Sequence, residues 1–149
     1  MKEPVWDLHN VVVGIDGSEQ SSHAAMVSAD LARRNGATLH LVTIVRPPEG
    51  WWGIVGSPPT PSALSKSLTD AQREILDAVV AGIDLSEIEV IQVEDVGDPA
   101  RMLLDYVHKV DADVLVIGRR GAGLLERIML GSVANRVVHD AECPVLLVP

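Results

Sequence analysis

Three glycines and one serine in the C-terminal third of the sequence have the spacing of a phosphate-binding loop. Gly118 directly follows an apolar run, Val114 to Ile117, and Gly121 comes three residues later. Nine residues separate Gly121 from the pair Gly131-Ser132. Glycines can take φ > 0 and let a ligand approach the bare main chain, and the first N–H groups of a helix favour an anion. A helical pattern starts at Ser132. The loop therefore predicts a site for a phosphate-bearing ligand, that is, a nucleotide.

The charge of the chain fits a small anionic ligand better than a polyanion. A net charge of −9 argues against a nucleic acid or an anionic membrane as partner, because both require a basic face. Around the glycine loop the balance is reversed, with four arginines and one acidic residue between Arg119 and Arg136. One of Arg119 and Arg120 is expected to contact phosphate, since a guanidinium group can bind it through two hydrogen bonds. The alternative is that these arginines are only solvated.

The elements that would position this loop alternate along the chain. Strands are predicted at Val11–Ile15, Thr38–Val45, Ile88–Val93, Val114–Ile117 and Val145–Val148. Helices are predicted at Glu19–Asn35, from Leu64 to about Gly82, from Pro99 with Asp98 as N-cap, and at Ser132–Ala141. This alternation predicts an α/β fold: a doubly wound, five-stranded parallel sheet, order 3-2-1-4-5, with helices on both faces and residues 1–149 forming one domain.

That strand order places the ends of the first and fourth strands beside each other. In such sheets ligands bind outside the carboxyl ends of the strands, where the winding reverses. Asp16 follows the first strand and Gly118 follows the fourth. We therefore expect these two residues to lie at one site.

Other features are less informative about function. Residues Arg46 to Pro61 are rich in proline and glycine and predict a long loop, in which Trp51 and Trp52 either cover the core or an interface or close over a ligand. A single cysteine, Cys143, excludes an internal disulfide, and no apolar run is long enough to span a bilayer. Together with an N-terminus that has no signal-peptide core, these features predict a cytoplasmic protein.

Several segments, in order and at fitting distances, resemble the universal stress protein family. They are the pattern G-x2-G-x9-G-[ST] itself, Val11–Ser18 (VVVGIDGS), Val96–Ala100 (VGDPA), Asp111–Gly118 (DADVLVIG), Leu130–Val137 (LGSVANRV) and Cys143–Pro149 (CPVLLVP). The resemblance covers nearly the whole chain. Because the glycines and the serine are present, it points to the branch of the family that binds ATP.

The resemblance implies a function and a set of site residues. A stress-response or signalling protein is expected, acting as a ligand-responsive homodimer that pairs through the last strand at Val145, Leu146 and Leu147. The nucleotide-binding residues implied are Ile15, Asp16, Ile44, Ile117, Gly118, Arg120, Gly121, Gly131, Ser132, Val133 and Ala134. Asp16 and Ile15 would contact the adenosine part, while Ile44 and Ile117 would line the adenine pocket. The ribose and phosphates would lie along the loop, and Mg²⁺ or Mn²⁺ would arrive with the ATP.

No catalytic constellation accompanies the loop. The P-loop string G-x4-G-K-[ST] is absent, and the five histidines lack metal-ligand spacing. Ser132 has no base within reach, because His139 is about two helical turns away. Asp16 is more readily a turn residue or a ribose ligand than a general base. The alternatives left open are a slow ATPase, an AMP or cyclic AMP binder, an enzyme that releases pyrophosphate, and a structural dimer without nucleotide.

Overall fold

A computed structural model describes residues 6–46, 61–120 and 130–149, with side chains from residue 66 onward in the helix that begins at Pro61. The strands are β1 (Asn10–Ile15), β2 (Thr38–Val45), β3 (Val90–Val96), β4 (Val114–Gly118) and β5 (Val145–Val148). The helices are α1 (Glu19–Asn35), α2 (Pro61–Ala81), α3 (Pro99–Lys109) and α4 (Ser132–Asp140). All strand pairs are parallel and their order is β3-β2-β1-β4-β5, which confirms the predicted sheet.

The central strands are buried on both faces, which explains their aliphatic composition. Val11 and Val13 of β1 pack with α1 and α2, whereas the intervening Val12 packs with α3 and α4. Each of these three valines is fully buried. A layer of two helices therefore covers each face of the sheet.

Helix α1 has strong local signals at both ends. The Ser18 hydroxyl accepts a hydrogen bond from the Ser21 N–H at 3.1 Å, the contact expected of an N-cap. Gly36 ends the helix with φ of 64°, a left-handed conformation that favours glycine. The small side chains on its buried face, including Ala24, Ala25 and Ser28, let the helix approach the sheet closely.

Two elements, β3 and α2, differ from their predicted bounds by more than one residue. Strand β3 covers Val90–Val96 instead of Ile88–Val93, because it pairs with β2 as far as Val45↔Val96 although Glu94 and Asp95 are exposed. Helix α2 begins at Pro61, three residues before the first apolar position of its pattern. Most of the predicted loop, including Trp51 and Trp52, lies outside the described residues.

A polar cluster lies at the amino end of the sheet, opposite the predicted site. His40 is only 3% exposed; its Nδ1 lies 2.8 Å from the Tyr106 hydroxyl and its Nε2 lies 3.1 Å from Oδ1 of Asn10. Oδ2 of Asp113 accepts hydrogen bonds from the N–H groups of His9 and Asn10. Burial lowers the pKa of His40, while nearby Glu89 acts in the opposite direction. The histidine is thus a packing residue.

Within the described ranges, no helix is long and apolar enough to cross a membrane.

Candidate functional site at the carboxyl edge of the sheet

Strands β1 and β4 are parallel neighbours at the centre of the sheet, and their carboxyl ends lie at the same edge. The register pairs Val13 with Val116, so two residues further along Ile15 stands level with Gly118. Asp16 follows Ile15 directly. The two segments that sequence analysis assigned to one site therefore do lie together, at the point where the winding reverses.

Asp16 shapes the turn between β1 and α1. Its Oδ1 accepts hydrogen bonds from the Ser18 N–H at 2.9 Å and from the Ser18 hydroxyl at 2.6 Å. Its own N–H donates to the Ser21 hydroxyl at 3.3 Å, and the intervening Gly17 has φ of 85°. This carboxylate is exposed but held in one orientation, with part of its hydrogen-bonding capacity used by the turn.

Gly118 is required for packing rather than for an unusual backbone angle. Its φ lies outside the left-handed region, in contrast to the expectation that it could provide φ > 0. A Cβ atom at this position would stand 2.8 Å from Cβ of Gln20 and 3.0 Å from the Gln20 carbonyl carbon. The absent side chain thus allows the first turn of α1 to approach the end of β4, which brings the Asp16 turn close to Gly118.

The N-terminus of α4 lies beside Arg119, the residue that follows β4. Gly131 is its N-cap, and the Gly131 N–H donates to the Arg119 carbonyl oxygen at 3.0 Å. The Asn135 N–H makes a helical bond to the Gly131 carbonyl oxygen at 2.8 Å. The N–H groups of Ser132, Val133 and Ala134 precede that bond and have no acceptor within the helix. Among the described residues no side chain caps this end, because the N-cap is a glycine. Three N–H groups of the first turn could therefore face an anion, where Gly131 was also expected to offer one.

The arginines near the loop divide into two sets. Arg119 lies between β5 and α4: its N–H donates to the Val148 carbonyl oxygen at 2.7 Å, and its half-buried side chain has a buried Nε without a hydrogen-bond partner among the described residues. Arg120 is also half-buried. Arg136 instead pairs with Asp98 at 3.3 Å and with Asp140 at 3.8 Å, so it belongs to the contact between α3 and α4. Gly121 and Arg127 lie outside the described residues.

The predicted apolar residues of the site fall on different faces of the sheet. Ile117 is 4% exposed and Ile44 is half-buried, and both pack in the cluster formed with α3 and α4. Ile15 is 3% exposed in the opposite cluster, with α1 and α2. Only Ile44 and Ile117 can therefore contribute side chains to one apolar wall, and Ile15 can reach a ligand there only through its main chain.

Sequence analysis missed a buried polar residue at this edge. Gln72 of α2 is 2% exposed, and its side-chain amide donates to the Thr43 carbonyl oxygen at 3.2 Å and to the Asp95 carbonyl oxygen. The signal was present, because Gln72 stands four residues after Leu68 and four before Leu76, on the apolar stripe of the helix.

Other reactive groups offer little chemistry. Cys143 is half-buried, and burial raises the pKa of its thiol, which disfavours the nucleophilic thiolate. In the part of the chain that the structure describes, no group of three or more His, Cys, Asp or Glu side chains is arranged to hold a metal ion.

These features define an α/β protein with a doubly wound sheet, in which the Asp16 turn, Gly118 and the N-terminus of α4 come together at the carboxyl edge. The model of the universal stress protein family matches residues 8–149. The chain therefore belongs to the universal stress protein family.

Relatives and solved structures agree with this assignment. Universal stress protein MJ0531 of Methanocaldococcus jannaschii is 31% identical over 145 residues, which cover 93% of this chain and 80% of that protein. The solved structure of protein MJ0577 superposes with a TM-score of 0.80 at 20% identity, covering 95% of this chain and 96% of that one, and supports the fold alone. A universal stress protein in complex with cAMP is 27% identical with a TM-score of 0.63, covering 95% of this chain and 97% of that chain.

Proposed function

We propose that this protein binds an adenine nucleotide, with ATP as the expected ligand, and acts as a ligand-responsive stress or signalling protein. The observation that carries the proposal is the N-terminus of α4, which has a glycine at its N-cap and lies beside the end of β4 and close to the Asp16 turn. Helix N-terminal amides favour phosphate. Membership of the family and the cAMP complex of a relative support the adenine part.

The residues present fit such a ligand at both ends. The amides of Ser132, Val133 and Ala134 would hold phosphate oxygens, and the exposed Ser132 hydroxyl would add one donor. Ile44 and Ile117 would form the apolar wall for the base. Gly118, Arg120 and Gly121 would lie along the ribose and phosphates, and Asp16 with the main chain of Ile15 would contact the adenosine part. Mg²⁺ or Mn²⁺ would be carried by the phosphates.

The proposal also covers the pairing of two copies, the cellular location and the rate of ATP hydrolysis. The protein pairs with a second copy through β5, an edge strand on which Leu146 is 36% exposed. It forms one domain and works in the cytoplasm, where a single cysteine stays reduced. ATP hydrolysis, if it occurs, is slow, and release of pyrophosphate at ordinary enzyme rates would favour the adenylating class instead.

Substitution of Gly131 tests the phosphate end of the site. Gly131 has φ of −59° and ψ of 158°, which any residue can adopt, so Gly131→Val should fold normally while its side chain occupies phosphate space. We expect ATP affinity, measured by titration calorimetry, to fall about a hundredfold or more. Gly131→Ala should reduce ATP affinity by a smaller factor.

Gly82→Val is the matched control, because Gly82 ends α2 far from the proposed ligand and has no close contact at its Cβ position. It should bind ATP like the wild type. If Gly131→Val binds ATP with wild-type affinity, the phosphate site is not at α4. If the wild type binds neither ATP, AMP nor cyclic AMP, the nucleotide-free structural dimer is the better description.

A further inference from the structure

A pair of buried polar side chains lies beneath the carboxyl ends of β2 and β3, within an otherwise aliphatic layer. Thr43 is 1% exposed and Gln72 is 2% exposed. Thr43 follows Leu39 and Leu41 on the face of β2 that packs against α1 and α2, and Gln72 lies on the buried face of α2. Oγ1 of Thr43 has no hydrogen-bond partner within the described ranges. Burial of such groups costs free energy unless their hydrogen bonds are made.

The side-chain amide of Gln72 connects the two strand ends. Its Nε2 donates to the main-chain carbonyl oxygens of Thr43 and Asp95. The Thr43 carbonyl belongs to the peptide unit that joins Thr43 to Ile44, and Asp95 stands opposite Ile44 in the register of β2 and β3. One side chain therefore fixes the orientation of the peptide unit that precedes Ile44 and the distance to the neighbouring strand.

Ile44 is half-buried on the other face of the sheet, in the cluster that also contains Ile117. We propose that Gln72 is a positioning residue for the base end of the nucleotide site: it acts through the Thr43–Ile44 peptide unit and holds the Ile44 side chain where it forms the wall for adenine. This inference rests on the proposed function. Gln72 itself lies on the α1 and α2 side of the sheet and touches no ligand.

The expected effect is confined to one end of the ligand. Loss of the Gln72 donor should let the end of β2 shift, which widens or tilts the base wall and weakens discrimination between purines. The N-terminus of α4 is held separately, by Gly131 and Arg119, so binding of a bare phosphate chain should not change.

The test compares three ligands by titration calorimetry: ATP, GTP and inorganic tripolyphosphate. Gln72→Met keeps an unbranched chain of similar length and removes the donor. It should weaken ATP binding about tenfold and reduce the preference for ATP over GTP, while tripolyphosphate affinity stays at the wild-type value. Gln72→Asn keeps the amide on a shorter side chain, and it should reduce ATP affinity and the preference for ATP over GTP by less than Gln72→Met does. It replaces Gln72→Met in the test if that variant does not fold.

Val79→Ala provides the matched control for mere loss of stability. Val79 lies about two turns further along the same face of α2 and is 5% exposed, so its truncation destabilises the helix packing without touching the strand ends. It should leave the preference for ATP over GTP unchanged.

The outcomes separate the two proposals. If both Gln72 variants bind all three ligands like the wild type, or if Val79→Ala alters base preference equally, Gln72 has only a structural role and the nucleotide site stands. If the wild type binds tripolyphosphate but shows no preference for ATP over GTP, the proposed function itself is contradicted. The same holds if the wild type binds none of the three ligands.

Discussion

Asp16 has both a structural and a proposed ligand-binding role at the end of β1. Its Oδ1 accepts two hydrogen bonds from Ser18, which is the N-cap of α1. Sequence analysis predicted both readings, a turn carboxylate and an adenosine contact, and the structure places the residue at the predicted edge.

Asp16→Asn keeps an oxygen acceptor for Ser18 and removes the charge. We expect its free energy of unfolding to stay within about 0.5 kcal/mol of the wild type and its ATP affinity to fall about tenfold. Asp16→Ala loses the acceptor as well and should also be less stable by about 1 kcal/mol. Urea unfolding and calorimetry measure the two effects. Wild-type ATP affinity in Asp16→Asn would leave the carboxylate with a turn role only.

The buried His40 makes folding stability depend on pH. Oδ1 of Asn10 can only accept, so Nε2 donates to it and Nδ1 accepts from the Tyr106 hydroxyl, which is the neutral form of the ring. Burial lowers the pKa of His40 below its unfolded value of 6.5. Between the folded pKa and 6.5 the unfolded state binds more protons, so this contribution is present above pH 6.5 and is lost as pH falls.

His40→Gln, which keeps a donor and an acceptor, should flatten the pH dependence below pH 6.5. The wild type should lose at most about 1.4 kcal/mol per pH unit relative to this variant. Urea unfolding at several pH values measures the difference. Substitution of the exposed His139 by Gln is the control and should keep the wild-type slope; equal slopes in wild type and His40→Gln would exclude the effect.

The packing of α1 against β4 depends on the missing side chain of Gly118. A Cβ atom there would meet Gln20 at 2.8 Å and its main-chain carbon at 3.0 Å, distances that require the helix to move. Gly118→Ala should cost about 1–3 kcal/mol, as overpacking does, and should weaken ATP binding by shifting the Asp16 turn.

Gly82→Ala provides the comparison at the element scale, because its nearest atom would be the Val79 carbonyl oxygen at an ordinary 3.6 Å. Its stability in urea should equal or slightly exceed that of the wild type. If Gly118→Ala is as stable as Gly82→Ala, α1 does not constrain the end of β4.

Element boundaries were predictable where local signals are strong. Helix α1 and strand β2 have the predicted limits, since Ser18 and Gly36 cap the helix and an apolar run defines the strand. The limits of β3 were wrong by two to three residues, because an edge strand carries exposed charges and its extent is set by pairing with β2. The periodicity of α2 indicates that Gln72 is buried, but its partners are main-chain oxygens of distant strands, which the periodicity does not reveal.

At the scale of the whole molecule, β5 is the edge strand proposed for pairing with a second copy. It has only four residues, and Leu146 on it and Val138 on the preceding helix are exposed by 36% and 45%. Leu146→Glu should shift the protein to monomers in sedimentation velocity, because a charge at a paired edge is destabilising. Ile91→Glu, on the opposite edge strand β3 and 40% exposed, should leave sedimentation unchanged. The reverse pattern would move the dimer contact to β3.

The amino ends and the carboxyl ends of the strands have different polar residues beside them. His40, Tyr106 and Asn10 lie at the amino edge, whereas the Asp16 turn and the start of α4 lie at the carboxyl edge. The buried aliphatic residues of the strands lie between these two groups. If the proposed function holds, substitutions at the amino end can therefore change the stability towards acid or heat while nucleotide binding at the carboxyl end keeps its wild-type affinity.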